Sequence, residues 1–213
     1  YTVTPPSWRH DMTSAACIVE ELCRLHGYDR IPPVPVMRTE TINMGVLTQE
    51  QRRRGQLRRT VAALGYTEAV TWSFTGEREA AAFAGETVRL VNPLSSELSV
   101  MRPSLLPNLL LAVARNQARR RSDGALFELG PRFVGGQPGE QVTALAGLRF
   151  GLATPRHWQA ERREVDLFDV KRDVLAVLTA AAVRTEALQV AAEAPAWYHP
   201  GRSGALGLGP IRL

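Results

Sequence analysis

The sequence has almost no lysine: of its 26 basic residues, all but Lys171 are arginine. Cysteine is equally scarce. Cys17 and Cys23 lie six apart on one expected helix and point to different faces; this argues against a mutual disulfide and fits a reducing, cytoplasmic setting. No apolar run approaches the ~20 residues of a membrane-spanning helix, and no signal-peptide pattern opens the chain. Glycine-rich phosphate loops of the P-loop or dinucleotide type are missing. Ser203 sits in Gly-Arg-Ser-Gly, which lacks the spacing of a nucleophile elbow. His10, His26, His157 and His199 are dispersed and form no metal-type pair. There is no internal repeat and no low-complexity segment.

What remains is ordinary for a globular chain. Its 213 residues are 45% apolar and 22% charged, enough for one substantial domain and an appendage without staples. The net charge of +5 favours polyanionic partners, although genome composition produces an arginine bias as readily as phosphate binding does. The chain starts at Tyr1 in an extended run and stops at Leu213 just after a turn. Both ends read as cut from a longer polypeptide.

The stretch Asn92–Leu111 organises the rest. Asn92-Pro93 and Ser95-Ser96 signal a turn, and Leu98–Met101 has strand character. Ser104 is placed to cap a helix, with Pro107 in the first turn, where backbone N–H groups have no helical partner to lose. Leu106, Leu109, Leu110 and Val113 recur at helical spacing and mark its apolar face; Asn108, Arg115 and Arg119 fall on the other side. Ala125–Leu129 is a strand after the Ser122-Asp123-Gly124 turn.

Upstream, Tyr1–Trp8 reads as a terminal strand. Met12–His26 reads as a helix capped by Thr13 or Ser14 and stopped by Gly27. Pro32, Pro33 and Pro35 make residues 30–40 an extended linker, so residues 1–29 are expected to end one small module and residues 41–213 to form the main domain. There Thr48–Leu64 is a helix with Leu57, Val61 and Leu64 inward and Arg52, Arg53, Arg58 and Arg59 outward or flanking. Glu68–Phe74 and Thr87–Val91 read as strands around a short helix at Thr75–Phe83. A glycine-rich hairpin leads into a long strand, Val142–Leu152. Asp166–Val183 is a helix packed on Phe168, Val174, Leu175 and Leu178, and short strands follow at Leu188–Ala191 and after Pro200-Gly201. Hairpins prevail over βαβ alternation, so the fold class is α+β, an antiparallel sheet flanked by helices.

Two clusters carry candidate chemistry. Asp11 precedes the first helix, Glu20 and Glu21 lie on it, and Cys17 stands three and four positions before them. Converging carboxylates hold Mg²⁺ with water completing the octahedron; the same spacing also makes an exposed acidic face with Glu20 four before Arg24. Zinc ligation by Cys17, Cys23, His10 and His26 has no recognisable spacing. Arg52 and Arg59 share a helix face that suits RNA phosphates or is simply solvated.

Several ordered blocks add a resemblance. PSWRHD (Pro6–Asp11), VEEL (Val19–Leu22), HGYDRIP (His26–Pro32), ALGYTEAVTWSF (Ala63–Phe74) and NPLSSELSVMRPSLLPNLL (Asn92–Leu110) are followed by LFELGPRF (Leu126–Phe133), LFDVKRDV (Leu167–Val174) and YHPGRSG (Tyr198–Gly204). In this order they cover nearly the whole chain, which resembles the beta subunits of bacterial phenylalanyl-tRNA synthetases. The resemblance implies a class II synthetase-like core that has lost its catalytic residues, within an (αβ)₂ tetramer whose alpha subunit uses ATP to attach phenylalanine to tRNA(Phe). It implies a helix–strand interface motif at Gln49–Phe74 and the place of a substrate-binding strand–loop–strand at Ser99–Phe133. It also implies Mg²⁺ at the junction with the alpha subunit, on Asp11, position 17, Glu20 and Glu21. Here Cys17, a soft ligand poorly suited to Mg²⁺, replaces the expected acid. Class II chemistry needs arginines fixed on the sheet to hold ATP phosphates. Arg102 and Arg132 are the nearest candidates, each beside a proline-containing turn and neither in an Arg-x-Glu-like loop. The expectation is a non-catalytic interface domain. The alternative is a basic module contacting tRNA through the Arg52–Arg59 helix.

Overall fold

The computed structural model describes residues 1–35, 45–83, 87–154, 157–159 and 162–212. It divides into two compact units, Tyr1–Gly45 and Val46–Leu213. Residues 36–40 of the expected linker lie outside the described residues; Pro32, Pro33 and Pro35 run without helix or strand.

In the first unit, helix α1 (Ala15–His26) begins after Ser14, whose hydroxyl turns to the Cys17 thiol at 3.2 Å and makes no capping bond. It ends at Gly27, where φ of +102° favours a residue without Cβ. The strand expected over Tyr1–Trp8 does not form, because no described strand lies alongside to take its backbone groups. No residue of α1 is buried, and Leu22 and Leu25 of its apolar face are 61% and 75% exposed.

In the second unit, α2 (Gln49–Ala63) starts with a reciprocal cap. Thr48 Oγ1 accepts from the Gln51 N–H at 3.2 Å, and Gln51 Oε1 accepts from the Thr48 N–H at 2.9 Å. The helix closes by a Schellman turn, with Gly65 and Tyr66 N–H groups donating to Ala62 and Val61 carbonyls and Gly65 at φ +88°. That reversal sends the chain into β1 (Thr67–Glu68), which lies parallel to β4 (Gly124–Phe133). β4 and β5 (Gln141–Phe150) form a long antiparallel hairpin. Val61, Tyr66, Ala125 and Phe127 make the core between α2 and this sheet, flanked by Leu64, Leu145 and Val177. The sheet is thus antiparallel with one short parallel edge.

The strand expected over Glu68–Phe74 is broken into β1 and β2 (Phe74–Thr75). The intervening backbone is satisfied differently. Ala69 donates to the Phe127 carbonyl, Thr71 N–H to the Glu128 carboxylate, and the Trp72 carbonyl accepts from Arg102 and Asn108. After the short helix α3 (Glu77–Ala81), capped at Gly76 and not Thr75, the expected strand Thr87–Val91 shrinks to a bridge between Arg89 and Val100. β3 (Val100–Met101) pairs antiparallel with β2.

Helix α4 (Leu106–Ala118) follows with Pro107 in its first turn, and Ser104 Oγ accepts from the Leu106 N–H at 3.2 Å. Its inward face is rotated from the expected one. Leu105, Leu109 and Val113 are buried, Leu110 is 47% exposed, and Asn108 points inward. The Asn108 amide donates to the Trp72 and Phe74 carbonyls at 2.7 and 3.2 Å, which is why a polar residue is tolerated there. Helix α5 (Leu167–Ala180) carries a second reciprocal cap between Asp166 and Asp169. Phe168 and Val174, expected inward, are exposed, because Asp169 and Asp173 occupy the buried side. β6 (Gln189–Ala191), β7 (Ala205–Leu208) and β8 (Ile211–Arg212) form a separate antiparallel sheet. Among the described residues no helix is long and apolar enough to cross a membrane.

Candidate functional site

Of the two arginines singled out in the sequence, Arg102 stands at the end of β3. It follows β3 directly and precedes Pro103, and its backbone N–H is held by the Ser73 carbonyl at 3.0 Å. The side chain turns into the protein and is 1% exposed. Its Nε donates to the Pro131 carbonyl at 2.9 Å, and its Nη1 reaches Glu128 at 2.7 Å, Thr71 Oγ1 at 2.9 Å and the Trp72 carbonyl at 3.3 Å. Glu128, on β4 and 3% exposed, takes a further bond from the Thr71 hydroxyl at 2.6 Å. The two charges neutralise each other, and each is hydrogen-bonded on more than one atom. This is the condition under which a buried ion pair is tolerated. Gly130 lies against it so closely that a Cβ there would come 2.7 Å from Arg102 Nη2. Arg132, the other arginine considered, is half-buried on β4 opposite Val142.

A second network ties the end of α2 to β5 and α5. The Tyr66 hydroxyl donates to Asp173 at 2.9 Å; Arg149 donates to Asp173 and to the Leu64 carbonyl, and its guanidinium lies 4.5 Å over the Tyr66 ring. Burial, reinforced by the Asp173 bond, pushes the Tyr66 phenol up to about 12. For Asp173 burial works to raise the value, but donors from Arg149, Tyr66 and Arg172 outweigh it and hold the carboxyl below its ordinary value. Asp169 is held well below the carboxylate range by the paired N–H groups of Arg163 at 2.6 and 2.7 Å. Sequence reading missed both networks. The one local trace of the second is Asp169 and Asp173, four apart on one helix.

The acidic cluster of the first unit is drawn together by arginine. Arg9 donates to Asp11 at 3.0 and 2.8 Å and to Glu21 at 2.6 Å, and Arg24 takes the other Glu21 oxygen at 2.9 and 2.7 Å. The Arg9 bonds hold Asp11 down at about 2, and Arg9 and Arg24 lower Glu21. Glu20 is exposed and outside this group, while the Ser14 hydroxyl lowers the Cys17 thiol. As folded, these residues do not fit Mg²⁺: a guanidinium stands between the two carboxylates, both Glu21 oxygens are taken, and the fourth position offers sulfur. Among the described residues no cluster of three or more acidic, histidine or cysteine side chains is arranged for a metal.

On α2 the arginines are divided. Arg52 donates to the Leu47 carbonyl, Arg54 to Glu50 and Thr143, and Arg58 to Glu68 at 2.7 Å and the Leu129 carbonyl. Arg53 and Arg59 are exposed.

A sequence profile of the phenylalanyl tRNA synthetase beta chain CLM domain matches residues 33–210. The chain belongs to the phenylalanyl-tRNA synthetase beta chain family. It is 51% identical over 209 residues to the phenylalanine–tRNA ligase beta subunit of Rhodospirillum rubrum, covering 97% of this chain and 26% of that protein. The beta subunit of Cereibacter sphaeroides is 47% identical, with coverage of 98% and 26%. The chain thus spans about a quarter of the length of these beta subunits. Among solved structures it is similar to pyrrolysyl-tRNA synthetase of Desulfitobacterium hafniense, at TM-score 0.58 and 16% identity, covering all of this chain and 71% of that one. A histidine–tRNA ligase subunit of Alicyclobacillus acidocaldarius gives TM-score 0.50 at 17% identity, over 75% and 46% of the two chains. At such identities the likeness concerns the fold, which is class II synthetase-like, and this chain is a beta-chain version of it.

Proposed function

We propose that this chain is a non-catalytic framework and docking domain of the beta subunit of phenylalanine–tRNA ligase. ATP-dependent attachment of phenylalanine to tRNA(Phe) is then the work of an alpha subunit in an (αβ)₂ assembly. The observation that carries the reading is Arg102. Phosphate binding in adenylate formation needs a guanidinium presented to solvent above the strands, whereas this one is enclosed and committed to Glu128, Thr71 and backbone carbonyls. Turning it outward leaves Glu128 buried without its partner. Mg²⁺ at the junction with the alpha subunit requires that Arg9 first leave Asp11 and Glu21, so no step is assigned to it.

Docking is supported by the exposed apolar stripe of α5, formed by Leu167, Val170 and Val174 with Phe168 beside it. These residues repeat at helical spacing and leave a face with no partner in the described residues. An obligate interface of this kind buries more than about 2,000 Å² and is hydrophobic. The test is co-expression with a tagged alpha chain from a family relative. Capture of this chain, lost on Val170→Glu and Val174→Glu while the thermal midpoint holds, is the expected result. Absence of capture contradicts the docking role.

A further inference from the structure

Helices α2, α4 and α5 end in the same turn, and the residue at its left-handed position differs. In α2 it is Gly65, at φ +88°. In α5 it is Ala182, at φ +61°, with Ala182 and Val183 donating to Thr179 and Leu178. In α4 it is Arg120, at φ +62°; Arg120 N–H donates to the Gln117 carbonyl at 2.9 Å and Arg121 N–H to the Asn116 carbonyl at 3.0 Å. Glycine is the residue that adopts this conformation without a Cβ penalty, which Ala182 and Arg120 both bear. A residue held in an unfavourable conformation by surrounding bonds is a reason to look for a role for its side chain.

Arg120 is part of an exposed group with Arg115, Arg119 and Arg121. Cations near a helix C-terminus are favoured by the macrodipole, which accounts for Arg115 and Arg119 on its last turns. It does not account for the left-handed arginine or the one beyond it. None of the four has an ion pair or side-chain hydrogen bond in the described structure, in contrast to Arg52, Arg54 and Arg58 of α2. The nearest acid in sequence, Asp123, is turned away: its oxygens accept from the Ser122 hydroxyl at 2.9 Å and the Leu152 N–H at 2.9 Å. The frame beneath is ordered, since Asn116 both accepts from Arg119 and Arg121 and donates its amide to the Ala112 carbonyl at 2.8 Å.

We infer that the C-terminal end of α4 is an RNA-contacting surface, where Arg115, Arg119, Arg120 and Arg121 meet the phosphodiester backbone. Unpaired guanidiniums carried on a turn whose backbone is braced are suited to phosphate oxygens. The polyanion class follows from charge. Its identification as tRNA rests on the family reading, but not on docking of an alpha chain.

The test measures binding of this chain to a tRNA(Phe) transcript by fluorescence anisotropy across a salt series. Each guanidinium that neutralises a phosphate contributes about 0.7–0.9 to the slope of log affinity against log salt. Replacing Arg115, Arg119 and Arg121 together by Gln is expected to lower that slope by about 2.1–2.7. Arg120→Gly separates contact from capping: the unfolding midpoint should rise while the slope falls by about 0.7–0.9. An unchanged slope in both variants overturns the inference, as does absence of binding at low salt. Loss of slope on Arg53→Gln with Arg59→Gln, and not on the α4 variants, assigns the contact to α2 and overturns it too. Failure of alpha-chain capture leaves the salt slope untouched, so the two readings fail separately.

Discussion

Replacing Arg102 by Leu leaves the Glu128 carboxylate without its charge partner beneath the sheet. Both side chains are almost fully enclosed, at 2% and 4% exposure. Breaking such a pair on one side costs about 3–5 kcal/mol, because the remaining charge stays desolvated. Thr71 still donates to Glu128, by its hydroxyl at 2.6 Å and its N–H at 3.3 Å, which places the cost toward the lower half of that range. Against a typical total of about 5–15 kcal/mol, the loss is a large share of the stability. Arg102→Lys keeps the charge but removes the planar fork that reaches Pro131, Trp72 and Glu128 together, so about 1–3 kcal/mol is expected. Replacing Arg102 and Glu128 together by Leu and Met removes both charges and should recover most of what the single change loses. Urea unfolding followed by circular dichroism, compared at equal m-values, reads these differences. A single variant that loses less than about 1 kcal/mol, or a double variant as unstable as the sum of the singles, refutes the reasoning.

Gly130→Ala places a Cβ 2.7 Å from Arg102 Nη2; since that guanidinium is held on several sides, a loss of about 1–3 kcal/mol in the same unfolding assay is expected. Ala182→Gly relieves a left-handed alanine at the end of α5 and should stabilise by about 0.5–1 kcal/mol, visible as a raised thermal midpoint. Asp169 and Asp173 titrate below the ordinary 3.8 of a carboxylate when folded. Their contribution is therefore present above that value and lost as pH falls from it through the folded values, and Asp173→Asn should flatten the acid limb of a stability–pH profile. Tyr66 runs the other way: raised from 10 to about 12, it contributes below pH 10 and loses that contribution as pH climbs between the two, a limb absent in Tyr66→Phe.

Helix positions were legible because capping and stopping are local. Thr48, Asp166, Pro107, Gly27 and Gly65 each act within a turn of their own residue, and the helices stand where those residues put them. Strands were less legible because pairing is not local. Glu68–Phe74 has strand composition throughout, yet in its middle the Trp72 carbonyl accepts from the Arg102 and Asn108 side chains and the Thr71 N–H donates to Glu128, up to 57 positions away. Tyr1–Trp8 has the composition but no neighbouring strand among the described residues. The same distance concealed the site: Arg102 and Glu128 lie 26 apart, and nothing near either shows that a charged residue faces inward. Asn108 was misplaced for a related reason, since a periodicity argument puts polar residues outside unless a buried partner is known. The family blocks compensated for this, as they do not depend on contacts.

The proposed role of Arg102 in the framework implies that this chain carries no adenylate chemistry of its own. Phenylalanine-dependent ATP–pyrophosphate exchange tests it most directly, measured on the chain alone and again with an alpha chain added. Exchange is expected at the blank level for the chain alone, with activity only when the alpha chain is present. Exchange by the isolated chain, abolished by Arg102→Lys at retained fold, would contradict it.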